Sequence, residues 1–168
     1  HARDIQVRDT KPNWIVNPDF RWWFQGTSFS SPASATVTAE GWNAFRQGTN
    51  TYTIDKETTI VQYSAQSLKL AVTVAGSAGA PSGGIEQDLR ADFGYRSQAY
   101  TGRNMSLGVI ARGAAGGETL YVNAFGSIKT YTLTTSFDTY VVTAANPNTD
   151  MSVIIGLGDG TTGTVYID

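Results

Sequence analysis

The chain has 168 residues, enough for one domain that buries roughly 70% of its unfolded surface. Its net charge is -2 with no block of like charges, which argues against a nucleic-acid partner, because phosphates require a concentrated basic patch. The chain has no cysteine, which excludes disulfides and thiolate metal sites, and apolar stretches of about five residues fall far short of the ~20 that cross a bilayer.

The first residues, His1 to Pro12, mix charges without apolar periodicity, so we expect an N-terminal arm or linker before a single domain over 13–168. From there on, Gly, Pro, Asn, Asp or Ser clusters recur every eight to twelve residues, a spacing typical of an all-β sandwich or barrel. The pattern predicts about nine or ten strands: Gly41–Gln47, Thr51–Asp55, Ser67–Val74, Gly84–Arg90, Met105–Ala111, Thr119–Phe125, Ile128–Thr134, Asp138–Ala144, Met151–Leu157 and Thr164–Asp168.

Ser67–Val74 is the clearest strand, because leucines and valines alternate there with polar or small residues and so define one buried and one wetter face. The stretch Ala91–Tyr100 is the one candidate for a short helix, although Gly94 weakens it. Glycine-rich stretches between the strands predict turns, since glycine tolerates positive φ.

Residues that carry catalysis are scarce. The only histidine is His1, at the chain end, so a serine or cysteine hydrolase triad is excluded. No pair of carboxylates stands out as a glycosidase pair, and no phosphate-binding glycine loop is present. We therefore expect no enzyme and no nucleotide cofactor. Oxygen ligands for calcium remain open, with Asp19 and Asp168 as the candidates.

Aromatic residues concentrate between Asn17 and Trp42, which hold three of the four tryptophans. Such rings either fill a core or offer a stacking platform to a ligand, and core is the commoner role. If Trp23 points inward, its neighbours Trp22 and Phe24 point outward in an extended segment. Trp22 and Phe24 are thus candidate ligand-binding residues, with burial against the arm or another subunit as the alternative.

A second candidate surface follows from alternation in Thr119–Phe125. If Leu120, Val122 and Ala124 point inward, the other face carries three candidate ligand-binding residues, Tyr121, Asn123 and Phe125. The strand around Ile85 would place three charged candidates beside them, Glu86, Asp88 and Arg90. Rings mixed with amide, carboxylate and guanidinium groups suit sugars, although a solvated face or a subunit contact gives the same pattern.

The run NPDFRWWFQGTSFS from Asn17, followed by TAEGW from Thr38, resembles the opening of jelly-roll domains in bacteriophage tail and fibre proteins. Later segments are similar to strands of β-sandwich carbohydrate-binding modules: SLKLAVTV, GGIEQDLR, YTGRNMSLGVIARG, TTSFDTYVVT and TGTVYID. The resemblance covers most of the chain from Asn13 onward. It implies a two-sheet antiparallel jelly-roll β-sandwich that binds glycans without catalysis.

The resemblance also implies a setting and a metal. We expect a carbohydrate-binding module on the surface of a phage or phage-like particle, outside cells, with glycans, other particle proteins and further copies of itself as partners. The alternative is a structural fibre or capsid-decoration domain. Such modules often hold one structural calcium, here at Asp168, but Arg21 stands where the family often has an acidic ligand. Either no cofactor or one calcium is therefore expected.

Overall fold

A computed structural model describes residues 15–76, 81–89, 102–145 and 152–168. The regular elements in these ranges are eleven β-strands: β1 (Ser28–Ser30), β2 (Asn43–Phe45), β3 (Thr51–Glu57), β4 (Ser67–Val74), β5 (Gly83–Asp88), β6 (Asn104–Gly113), β7 (Thr119–Ala124), β8 (Ser127–Thr132), β9 (Asp138–Ala145), β10 (Ser152–Leu157) and β11 (Gly163–Ile167). The predicted arm, the predicted helix Ala91–Tyr100 and Arg90 lie outside the described residues. Among the described residues there is no helix long and apolar enough to cross a membrane.

The strands form two antiparallel sheets. One has six strands in the order β1-β3-β4-β11-β6-β9, and the other has five in the order β2-β5-β10-β7-β8. Two sheets packed face to face, with strands that are neighbours in space but distant in sequence, make a jelly-roll sandwich. The all-β, two-sheet prediction is confirmed.

The core lies between the sheets and follows the period-two alternation of the strands. In β4 the inward residues Leu68, Leu70 and Val72 are buried, while Lys69 and Ala71 between them are only partly covered. The inward residues of β6 and β7 complete the same layer. Burying one large aliphatic side chain contributes about 1.5–3 kcal/mol, so this layer supplies most of the driving force for folding.

Most strand boundaries shift by one or two residues from the prediction, and two differences have a clear physical reason. β1 was not predicted, because three residues are too few for a period to show; pairing with β3 defines it, with Phe29 opposite Ile54. β7 ends at Ala124 because Phe125 has a φ of 57°, in the left-handed region, which interrupts the pleat.

Candidate functional site

Asn17 holds the N-terminal aromatic segment in one conformation. Its side-chain oxygen accepts hydrogen bonds from the backbone N–H groups of Arg21, at 2.7 Å, and Trp22, at 3.1 Å. Its side-chain nitrogen donates to the carbonyls of Trp22 and Glu40, both at 3.1 Å. Asn17 is buried and has a φ of 49°, which asparagine tolerates better than most residues. One side chain thus fixes both backbone polar groups of Trp22.

Two further aromatic residues anchor the same segment to the core. Phe20 is buried, and its ring centroid lies 5.5 Å from that of Trp42. Trp23 is half-buried; its indole N–H donates to the Phe20 carbonyl at 2.5 Å, and its ring stacks on Phe29 with centroids 6.5 Å apart. Phe20, Trp23 and Trp42 therefore serve the fold.

Trp22 and Phe24 lie on the other side of this segment and point to solvent. Trp22 is 51% exposed and Phe24 is 74% exposed. Their predicted exposure is confirmed, and their predicted contact with a ligand stays a prediction. We name this pair the aromatic platform. The backbone of Trp22 is held by partly buried hydrogen bonds while both rings remain open, so ligand binding at Trp22 would cost little backbone ordering entropy.

Tyr63, 78% exposed, is a third open ring that sequence reasoning missed. It lies in the loop between β3 and β4, which borders the aromatic segment because the Gln66 side-chain amide donates to the Arg21 carbonyl. This loop has no apolar alternation from which its position could be predicted. Only the hydrogen bond between Gln66 and Arg21 places Tyr63 near the aromatic segment.

The second predicted surface is the outer face of the five-stranded sheet. Strand register places Asn43, Glu86, Ile154, Asn123 and Ile128 side by side in one row across β2, β5, β10, β7 and β8. Glu86 and Asn123 thus share a face, as predicted, with Ile154 between them. Asp88 lies opposite Ser152 at the end of the same face.

Two of the predicted stacking rings on this face are buried, and this corrects the sequence interpretation. Phe125 is only 5% exposed, because its left-handed backbone turns the ring into the core. Tyr121 is 6% exposed although it belongs to the outward register opposite Gly156. A side chain at Gly156 would approach Pro81 to 2.8 Å, so this part of the sheet is covered.

The environment of Tyr121 agrees with its burial. Loss of solvent raises the pKa of the Tyr121 hydroxyl, and a hydrogen bond with the Asn123 side chain opposes the rise. The side-chain oxygen of Asn123 is buried without a hydrogen-bond partner. An unpaired buried acceptor is rare in proteins. This face therefore offers polar groups near its centre but no open aromatic ring in Tyr121 or Phe125.

Each of the two predicted calcium ligands forms hydrogen bonds or an ion pair with other groups of the protein. One Asp168 carboxylate oxygen accepts the backbone N–H groups of Gln62 and Tyr63 at 2.5 and 2.6 Å, and the other accepts the Ser64 hydroxyl. Asp19 forms an ion pair with Arg21 at 2.7 Å. Within the described ranges no three acidic or histidine side chains form a metal-binding group. Calcium needs six to eight oxygens, and the carboxylates of Asp19 and Asp168 are both engaged with protein groups.

Comparisons with known proteins place the fold. No family model and no curated protein matches the chain. Among solved structures, the family 11 carbohydrate-binding module from Clostridium thermocellum, in complex with a mixed-linked tetrasaccharide, is similar with a TM-score of 0.53 and 7% identity, over 84% of this chain and 92% of that one. A CBM4 module matches with a TM-score of 0.50 and 16% identity, over 76% and 82% of the two chains.

A third solved structure comes from a phage. The enzymatically active domain of tailspike protein 4 from bacteriophage CBA120 is similar with a TM-score of 0.52 and 18% identity. The match covers 92% of this chain and 20% of that one, so this chain corresponds to a small part of the tailspike. At such identities these likenesses establish the fold: a carbohydrate-binding-module-like β-sandwich.

Proposed function

We propose that this protein is a non-catalytic glycan-binding module whose primary contact is the aromatic platform, Trp22 and Phe24. The observation that carries the proposal is the combination of two open rings with the hydrogen-bonded backbone of Trp22. Aromatic faces stack on the apolar faces of sugar rings, and a platform that is already ordered avoids the entropic cost of ordering on binding.

Polar groups for the sugar hydroxyls lie close to the platform. The Arg21 side chain is 67% exposed and is oriented by its ion pair with Asp19. An exposed guanidinium and carboxylate can donate to and accept from sugar hydroxyls. Glu86 and Asp88 lie apart from the platform, on the outer face of the five-stranded sheet, and we propose them as secondary contacts for a longer glycan.

The setting we propose is the surface of a phage or phage-like particle, outside the cell, where the domain would aid adsorption to host glycans. The fold likeness to the tailspike domain supports this setting. A shallow platform of two rings binds weakly on its own. Several copies displayed together, with other particle proteins, would raise the effective concentration and hence the avidity without new contacts.

The competing function is structural: a fibre or capsid-decoration domain in which the platform packs against another subunit. The exposure of Phe24 supports a structural function as much as it supports glycan binding, because aromatic residues are enriched at protein interfaces. The two functions differ in one respect. A structural contact buries Trp22 and Phe24 in the assembly, whereas a glycan site leaves them accessible there.

A glycan array with the isolated domain tests the proposal, followed by calorimetry on each hit. Trp22→Ala and Phe24→Ala should each weaken binding about tenfold or more, the loss expected for a well-placed stacking ring. Val74→Ala, which removes exposed apolar surface on β4, is the control and should bind as the parent does. Absence of binding at millimolar glycan, with the fold intact by circular dichroism, would remove the glycan-binding function.

A further inference from the structure

The outer face of the six-stranded sheet carries a row of polar and charged residues that the proposed function does not use. Strand register aligns Ser28, Asp55, Lys69, Tyr166 and Arg112 across β1, β3, β4, β11 and β6. They face away from the core, because their chain neighbours on β4 and β11, such as Leu70 and Val165, are buried. Tyr166 thus has a cationic residue on each side.

Arg112 is held in place by aromatic rings rather than by an ion pair. Its guanidinium carbon lies 5.8 Å from the ring centroid of Tyr166 and 5.9 Å from that of Phe137. Its Nε donates to the Gly113 carbonyl at 3.1 Å. Two cation–π contacts and one hydrogen bond fix the position of the group and leave its terminal nitrogens as donors for a ligand.

The nearest carboxylates in the register are engaged elsewhere. Asp55, opposite Lys69, accepts the hydroxyls of Ser28 at 2.6 Å and Thr53 at 3.3 Å. Asp138, next to Phe137, accepts the backbone N–H of Thr139 at 2.7 Å. In the described part of the chain, neither Lys69 nor Arg112 takes part in an ion pair. Lys69 and Arg112 thus lie about two strand spacings apart, roughly 10 Å, on one face, with Asp55 as the cross-strand neighbour of Lys69.

We propose that Lys69, Tyr166 and Arg112 form a second binding site, which takes the carboxylates of an acidic saccharide. A fixed guanidinium binds a carboxylate through two parallel hydrogen bonds, and Lys69 supplies a point charge for a second acidic group of the same chain. Tyr166 itself is only 8% exposed, so the contacts to the saccharide come from Arg112 and Lys69 on either side of it. The choice of a saccharide rests on the proposed glycan-binding function, while the recognition of carboxylate does not.

The test compares an oligogalacturonate with a neutral cello-oligosaccharide of equal length by calorimetry at low and high salt. The parent protein should bind the acidic oligosaccharide, and the affinity should fall as salt rises. Arg112→Gln should weaken this binding about tenfold, because charge-assisted hydrogen bonds are lost, and Lys69→Gln should weaken it a few-fold. Arg112→Lys should retain part of the affinity. Lys129→Gln, an exposed lysine on β8, is the matched control and should change nothing.

The outcomes separate this site from the aromatic platform. Loss of acidic binding in Arg112→Gln, with Trp22→Ala unaffected, supports the second site even if no neutral glycan binds. If the parent binds no acidic oligosaccharide, or if Arg112→Gln binds it as the parent does, the second site is overturned. Neutral binding that Trp22→Ala abolishes would then leave the proposed function intact. Near-UV circular dichroism of each variant shows that Tyr166 and Phe137 keep their packing.

Discussion

The aromatic platform and the predicted surface on the five-stranded sheet contain similar residues, but their aromatic rings differ in solvent exposure. Trp22 and Phe24 are open to solvent, whereas Tyr121 and Phe125 are buried. The platform follows the buried Phe20 in the chain, and Asn17 holds the backbone of Trp22 by hydrogen bonds, while the rings of Trp22 and Phe24 stay in solvent. Tyr121 and Phe125 lie where a left-handed turn and a covering segment take them out of solvent. An open ring thus depends on the backbone around it more than on strand alternation.

The largest expected effect comes from replacing one buried ring and one exposed ring with alanine and comparing the two variants. Phe20→Ala should lower the free energy of unfolding by about 3–5 kcal/mol, because it removes a buried ring from contact with Trp42. Phe24→Ala should change it by no more than about 0.5 kcal/mol, since its ring is in water. Urea denaturation of both variants measures the difference. Equal losses would show that Phe24 is packed and would remove it from the platform.

Alkaline unfolding tests the effect of burial on Tyr52, the buried tyrosine of β3. Burial raises the pKa of the Tyr52 hydroxyl to about 12, and the charge of Arg46 opposes part of the rise. Above pH ~10 the unfolded chain releases this proton while the folded protein keeps it, so stability is present below pH 10 and is lost as pH rises towards 12. A shift of this size corresponds to about 2–3 kcal/mol.

Tyr52→Phe isolates this contribution. The variant loses the hydrogen bond from the hydroxyl to the Pro32 carbonyl, about 1 kcal/mol at every pH, but its stability should decline less steeply between pH 10 and 12. Urea denaturation across that range gives both curves. Parallel curves for parent and variant would show that Tyr52 titrates in the folded protein as it does in the unfolded chain.

A smaller effect concerns Asp168, which ties β11 to the loop that carries Tyr63. Asp168→Asn should lower stability by about 1–2 kcal/mol, because an amide oxygen accepts the hydrogen bonds of Gln62 and Tyr63 less strongly than a carboxylate does. Millimolar calcium or EDTA should leave the melting temperature of the parent unchanged. A rise of several degrees with calcium, abolished in the variant, would instead place a calcium ion at this carboxylate.

Much of the fold follows from the sequence because alternation is a local property. The strands β4, β6 and β9 appear in the sequence close to their observed bounds, and the inward residues predicted for β4 are buried except Val74, at the strand end. The three-residue β1 could not be predicted, since its only support is pairing with β3. The positive φ of Phe125 could not be predicted either. The glycine that follows it indicates a turn but does not show that Phe125 adopts the left-handed conformation.

The candidate sites were less predictable because they join residues distant in the chain. Trp22 and Phe24 were found through a local rule, the opposite orientation of neighbours around Trp23. The row of Lys69, Tyr166 and Arg112 depends on the register of three strands that are not consecutive, which no local pattern encodes. The same holds for the cover over Tyr121, which requires knowing that Pro81 packs beside Gly156.

An NMR titration of the isolated, isotope-labelled domain with a glycan that it binds tests most directly whether the aromatic platform is the binding site. The backbone amide signals of Trp22 and Phe24 and the indole N–H signal of Trp22 should shift first and saturate together, while the signals of buried Tyr121 and Phe125 stay in place. Shifts centred on Tyr121 and Phe125, with Trp22 and Phe24 unchanged, would contradict this prediction and move the site to the five-stranded sheet.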